Sequence, residues 1–481
     1  QSKYYSPSLQ YYVPNAYQGL VGRLTYEYAS RYLAEFNMGY NGTENFAKGK
    51  RFGFFPAVSL GWVISEEKFF PKNNIVKYLK VRGSYGEVGN DQIGGDRFLY
   101  LPSSYGAASD SGVNKYNFGL ASNPYTSLMI VENKIGNPDL TWEKAKKMNV
   151  GVDINLFNNC LTASFDIFKE KRNNILANRS TSPMIIGANL PAYNFGEMEN
   201  RGWEMDLNFR HHIQDFHYWA RFNYSFARNE IIYMDEVQKR YDYQMTTGRR
   251  KNQFFGLIFD GYYNSWEEIN ALDRPKSSWS GNQLQPGDVK YVDVNQDGVI
   301  DDYDMVPIGY TPVPEIIYGF SFGAQYKGFD FSILFQGADN VSIKYFGRSM
   351  WPFAKGEESA KSLIKERWTQ ERYEAGEKIT FPRLSLNPNG ETDHNYRPST
   401  LWIRDASYLR LKNLEVGYTF TGGFVKRLNL NSVRLYFNGS NLFTWTDVVD
   451  LDPEAPSRSG NVEINTYPLQ KVYNIGLNIN F

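Results

Sequence analysis

A chain of 481 residues with 52 basic and 52 acidic side chains carries no net charge, which argues against a nucleic-acid binder, whose footprint is a basic face. Aromatics reach 16%, yet mean hydropathy is negative and no run of about 18 apolar residues occurs, which excludes helical membrane spans. The one cysteine, Cys160, rules out an internal disulfide or a cysteine metal cluster and reads as a small apolar filler at a strand start.

Period-two alternation predicts strands over 20–28, 32–41, 56–65, 78–86, 143–157, 160–171, 194–210, 216–227, 254–263, 315–326, 329–338, 407–420, 432–441 and 471–481, about 14 in all. In 148–156 one parity is Met148, Val150, Val152, Ile154 and Leu156, and the other is Asn149, Gly151, Asp153 and Asn155. A pleated strand sends these two sets to opposite faces. Later outward sets are aromatic: Trp203, Met205, Leu207 and Phe209; Ala220, Phe222, Tyr224 and Phe226; Tyr318, Phe320 and Phe322; Phe329, Phe331, Ile333 and Phe335. The inward set Glu204, Asp206 and Asn208 is polar. Connections alternate in length. Asn158-Asn159 and Lys327-Gly328 have hairpin-turn chemistry, whereas 87–141, 172–193, 228–253, 264–314, 339–406 and 442–470 are long. A soluble sandwich rarely carries several long irregular loops on one side, and an outer-membrane barrel does. The fold class is therefore all-β, a transmembrane antiparallel β-barrel of the cell outer membrane. The last strand places apolar residues at 473, 475, 477, 479 and 481 and ends on Phe481, similar to the signal read by the bacterial barrel-insertion machinery. Such a barrel crosses the inner membrane first, so sequence ahead of Gln1 is expected.

One motif carries chemistry. Residues 293–304 fit the calcium-loop template, with Asp293, Asn295 and Asp297 at positions 1, 3 and 5 and Gly298 at the sharp turn. Val299 would offer its carbonyl, and Asp301 and Asp304 fill positions 9 and 12. Asp304 stands where the template has Glu, so its shorter carboxylate reaches less far. No amphipathic helices flank the loop. The expected role is structural: a Ca2+ ion stiffening an external loop. Among the histidines, His211 and His212 point opposite ways at a predicted turn, and with His217 and His394 they form no convergent ligand set. Gly89-Asn90-Asp91 and Gly94-Gly95 lack the strand–helix context of a phosphate site, and Glu66-Glu67 and Glu357-Glu358 read as solvated faces. No catalytic motif appears, so no enzyme is expected. The segment from Glu357 to Trp368 reads as a short amphipathic helix packed on the loop scaffold. Loop aromatics Tyr105, Tyr116, Tyr125, Trp266, Trp279, Tyr345, Trp351 and Tyr396 read mostly as packing residues, with no substrate-binding residue assignable.

Several stretches resemble the SusC/RagA-like family of TonB-dependent outer-membrane transporters of Bacteroidetes. They are Phe55-Pro56-Ala57-Val58-Ser59-Leu60-Gly61-Trp62, Leu79-Lys80-Val81-Arg82-Gly83-Ser84-Tyr85-Gly86 and Gly136-Asn137-Pro138-Asp139-Leu140-Thr141-Trp142-Glu143. Further matches are Asn200-Arg201-Gly202-Trp203-Glu204, Pro286-Gly287-Asp288-Val289-Lys290-Tyr291, the run Ile403 to Asn413, and Asn438-Gly439-Ser440-Asn441-Leu442. They occur in the family's order along nearly the whole chain.

The resemblance implies a barrel of about 22 strands closed by an N-terminal plug. It implies energy from TonB through a segment ahead of the plug, and a SusD-like surface lipoprotein as lid. The ligand would be an oligosaccharide or peptide, with outer-membrane lipid around the wall. On that reading residues 1–481 are the C-terminal part of the barrel, with the plug, the TonB contact and the first strands expected outside them. A passive pore or surface adhesin on the same barrel is the alternative. A secreted calcium-binding β-protein is the third, opposed by the Phe481 strand and the loop alternation.

Overall fold

The computed structural model describes residues 2–6, 11–92, 98–101, 106–107, 115–120, 125–128, 130–131, 135–181, 190–279, 284–345, 351–353, 362–385, 393–449, 451–454 and 468–481. One antiparallel sheet of 13 strands dominates it. The strands are β1 (Tyr17–Tyr28), β2 (Tyr32–Thr43), β3 (Phe52–Val63), β4 (Val76–Asn90), β5 (Glu143–Leu156), β6 (Leu161–Ala177) and β7 (Tyr193–Ile213). They continue as β8 (Phe216–Tyr233), β9 (Ile316–Tyr326), β10 (Phe329–Asp339), β11 (Tyr408–Phe420), β12 (Ser432–Thr446) and β13 (Val472–Asn480). Each pairs with its neighbours in sequence, an up-and-down meander with β1 and β13 as its edges.

The short connections gather at one end of the sheet, the short-turn rim. Lys327 and Gly328 both have positive φ, as a two-residue hairpin turn requires, and a Cβ on Gly328 would lie 2.7 Å from the Thr419 carbonyl. Asn158 and Asn159 also have positive φ, and the Cys160 amide closes that turn onto the Phe157 carbonyl at 3.1 Å. The opposite, long-loop rim carries the connections 91–142, 178–192, 234–315, 340–407 and 447–471.

The register sets the two faces. Trp203 lies opposite Ile167 and Phe226, Leu207 opposite Ala163 and Phe222, and Tyr224 opposite Tyr318. The outward face is thus aromatic and aliphatic over most of the wall, and exposed among the described residues: Val150 is 57% exposed and Ile475 81%. Such a surface needs lipid. The inward face carries Arg82, Asp153, Asp166, Asp330, Glu415 and Arg434.

One expected strand is not in the wall. Residues 254–263 form two short pieces, Phe255–Gly256 paired with Val306–Pro307 and Phe259–Tyr262 paired with Val289–Tyr291. Apart from the exposed Asp260, both parities of this segment carry apolar residues, which suits a strand packed on both faces rather than one between lipid and lumen. Leu257 is fully buried. An additional hairpin, Ser2–Ser6 with Tyr11–Asn15, was not foreseen.

The hydrophobic core lies outside the wall. The described parts of loops 234–315, 340–407 and 447–471 fold together into a head at the long-loop rim. Its core holds Leu257, Val289, Tyr291, Ile300, Ile343, Tyr345, Trp368, Phe381, Tyr396, Trp402 and Val448. A smaller cluster of Phe46, Phe55, Leu99, Leu140 and Trp142 ties loops 44–51 and 91–142 to the same rim.

Candidate functional site

The inward face is organised by two arginines. The Arg82 guanidinium donates to both oxygens of Asp166 at 2.6 Å and from Nε to Asp153 at 3.1 Å, and Ser164 donates to Asp153 at 2.8 Å. The second cluster joins Arg434 to Asp330 and, at 2.6 Å, to Glu415. Each guanidinium lies flat over a glycine. A Cβ on Gly151 would sit 2.7 Å from Arg82, and one on Gly417 would sit 2.7 Å from the Arg434 guanidinium. The missing side chain makes room for the ion pair against the wall. Beside Arg82 a cavity of about 510 Å³ is lined by Glu35, Ser59, Lys80, Ser84 and Asn149 among others. This side of the wall can hydrate or hydrogen-bond a polar solute.

The acidic loop 293–304 folds on its own amides. Asp293 accepts from the amides of Gln296 and Gly298, Asn295 from Asp297, Asp297 from Val299, and Asp301 from Tyr303. Asp304 is fully buried and accepts from the amides of Val294, Asn295 and Asp301. Burial pushes its carboxyl above the usual range. Asp304 therefore braces the loop from inside, while Asp293, Asn295 and Asp297 stay at the surface. Among the described residues no three acidic, histidine or cysteine side chains gather as a metal site requires.

A groove of about 710 Å³ runs beside this loop, lined by Glu236, Gln238, Lys239, Arg240, Gln244, Phe255, Asp302 and Tyr303 among others. The Tyr243 hydroxyl donates to the Tyr303 carbonyl and the Gln244 amide to the Asp302 carbonyl, both at 2.7 Å. Arg240 lies over the Tyr303 ring at 4.9 Å. The exit of β8 is thereby clamped to the acidic loop.

Inside the head a buried polar network joins two loops. His394 Nε2 lies 2.8 Å from the Val289 carbonyl and Nδ1 lies 2.9 Å from the Ser277 hydroxyl. The neutral ring satisfies both, donating from Nε2 and accepting at Nδ1. Burial lowers the pKa of this histidine. Asp288 accepts from Arg383 at 2.6 Å and from Asn395 at 2.8 Å, and Trp402 donates to the Asn395 carbonyl. A second tie holds loop 447–471: Arg410, 2% exposed, donates to Asp452 at 2.7 Å and to Thr444 at 2.9 Å.

Of the loop aromatics, Tyr345 and Tyr396 are buried in the head, Trp279 and Trp351 pack against it, and Trp266 and Tyr116 are exposed. Tyr105 and the stretch 357–361 lie outside the described residues, and the rest of the expected helix begins as a single 3-10 turn, Ser362–Glu366. His212 stacks on His217 at 5.5 Å by the 214–215 turn, away from His394. The clusters around Arg82, Arg410 and Arg434 were missed. The only sequence signal for them was a charged residue at an inward position, and its partners lie on other strands or loops.

The family model for TonB dependent receptor-like β-barrels matches residues 3–442. TonB-dependent receptor P3 of Formosa agariphila is 28% identical over 479 residues, covering 96% of this chain and 45% of its own length. TonB-dependent receptor SusC of Bacteroides thetaiotaomicron is 28% identical over 477 residues, covering 98% of this chain and 44% of its own. The RagAB peptide transporter structure superposes with a TM-score of 0.73 at 23% identity, over 98% of this chain and 48% of that one. The chain thus spans a little under half the length of these relatives.

Proposed function

This chain belongs to the TonB dependent receptor-like β-barrel family of the outer membrane, and on that premise we propose that it forms the wall and surface head of an energised importer. The cargo in this reading is an oligosaccharide or a peptide, the energy comes through TonB, and a SusD-like lipoprotein covers the head. The observation that carries it is the opposition of the two faces: an apolar outer surface against lipid, and an inner surface of glycine-seated ion pairs facing a lumen. Similarity to SusC and to the RagAB peptide transporter supports the same reading. Unpaired edges do not stand in lipid, so β1 and β13 need further strands between them to close a barrel. The relatives' greater length has room for those strands and for a plug.

The test is uptake of labelled oligosaccharide and peptide mixtures by cells expressing the full-length protein, with and without TonB. Energised import predicts that uptake disappears without TonB. Uptake that persists would replace this reading with a passive pore, and surface binding without uptake would make the protein an adhesin.

We also propose that Ca2+, when it binds, draws together the surface oxygens of Asp293, Asn295, Asp297 and Asp301 and the Val299 carbonyl, with Asp304 kept as the internal brace. Calcium then raises the melting temperature of the head, and Asp297→Asn shrinks that rise. No rise in the unmodified protein would leave 293–304 a metal-free acidic turn.

A further inference from the structure

On strands β5 to β8 the outward face changes character along a line parallel to the rim. Val150, Ile167, Trp203 and Phe226 stand side by side in register as the last fully apolar row. One step towards the long-loop rim the row reads Met148, Lys169, Arg201 and Arg228. The next reads Lys146, Lys171, Glu199 and Glu230. Lys169, Arg201 and Arg228 are therefore direct cross-strand neighbours, as are Lys146 and Lys171. Like charges opposite one another destabilise a sheet.

The acids only partly relieve this. Arg228 donates to both oxygens of Glu315 at 2.9 and 2.8 Å, Lys169 reaches Glu199 at 2.9 Å and Lys171 reaches Glu197 at 2.9 Å, but Arg201 stands 4.0 Å from Glu230 and Lys146 3.8 Å from Glu87. The Glu199 side chain is 16% exposed, while those of Lys169 and Arg201 are 54% and 63% exposed. Cations thus face outward, and their partners lie against the sheet or farther from lipid. All four strands are interior to the sheet, each paired on both sides. On β11 and β12 the outward pairs near the same rim are Leu411–Phe443 and Leu409–Trp445, so the cationic row belongs to one arc of the wall.

We propose that Lys169 and Arg201, flanked by Lys146 and Lys171, dock the phosphate-bearing headgroups of outer-leaflet lipid. A phosphate has the charge and the several acceptor oxygens that paired cations satisfy. The apolar row of Ile167 and Trp203 directly below would receive the acyl chains of the same molecule. This site rests on placement in the outer membrane and not on import.

The experiment uses the full-length protein in vesicles of phosphatidylcholine with and without labelled phosphorylated lipid A, with retained lipid measured by titration and native mass spectrometry. Each cation removed weakens retention about fivefold, so Lys169→Gln with Arg201→Gln weakens it roughly twenty-fivefold. Arg201→Gln alone supplies the smaller step if the double variant does not fold. Glu199→Gln breaks the Lys169 ion pair but keeps the cations, and retains lipid at least as well as the unmodified protein. Unchanged retention in Arg201→Gln, or equal loss in Glu199→Gln, overturns the proposal. Displacement of the lipid by inorganic phosphate at matching concentration would assign the site to free phosphate instead.

Discussion

Leu207 in the wall and Trp402 in the head are both large apolar residues, and their surroundings differ in kind. Leu207 is half-buried, with Ala163 and Phe222 beside it in the sheet and its side chain on the outward face. Trp402 is 2% exposed, with the Phe381 and Tyr396 rings each 5.4 Å away and its indole nitrogen bonded to the Asn395 carbonyl. The wall is a single layer held by backbone ladders and completed by lipid. The head is a small folded unit with a buried core of its own. The two regions should therefore fail separately.

The largest test is Trp402→Ala. Loss of a buried indole costs about 3–5 kcal/mol. The head loops should become protease-sensitive while the wall keeps its resistance to unfolding in cold detergent on gels. Loss of both together would show one cooperative unit. Next is Leu207→Arg, which should cost roughly 2–4 kcal/mol on refolding into bilayers if Leu207 lies near the membrane midplane. Asn208→Arg on the opposite face should cost much less, and equal costs would contradict the assignment of faces. Asp304→Ala leaves the amides of Val294, Asn295 and Asp301 without their acceptor, for about 1–3 kcal/mol. The change should appear in the head's melting and not in the wall's.

The smallest test is pH. Burial holds His394 below its ordinary value of 6.5, so the unfolded head binds the extra proton first as pH falls. Its contribution is fully present above about pH 6.5 and is lost as pH falls towards the folded pKa. The Val289 carbonyl, Asp288 and Asp393 favour the charged ring, and burial outweighs them. Head melting should drop between neutral pH and about pH 5 while wall melting does not, and a flat profile would count against the buried neutral ring.

The same contrast explains what was legible in the sequence. In the wall each residue's environment follows from its parity, so Val150 or Trp203 could be placed outward and Asp206 inward without knowing any partner. Near-continuous apolarity at 254–263 mimicked that pattern, but its partners are loop residues far along the chain, such as Val289 and Thr400. The acidic loop was visible as a motif because all the positions of the template are local. The inward turn of Asp304 was not, because it depends on amides that only the folded loop brings together. Arg410 could not be read at all, since Asp452 reaches it from another loop.

The alternation of short turns and long loops also sets an order of assembly. Joining β5 to β6, β7 to β8 or β9 to β10 closes only a few residues, whereas pairing β8 with β9 closes the loop 234–315 and pairing β10 with β11 closes 340–407. Closure entropy rises with loop length, so the hairpins form as ready-made units and their lateral joining comes later. Those late seams are the ones the head spans, since its core draws on loops 234–315, 340–407 and 447–471 together. A head that folds early shortens the effective span of both large loops and brings β8, β9, β10 and β11 into register, acting as a template for the wall beneath it.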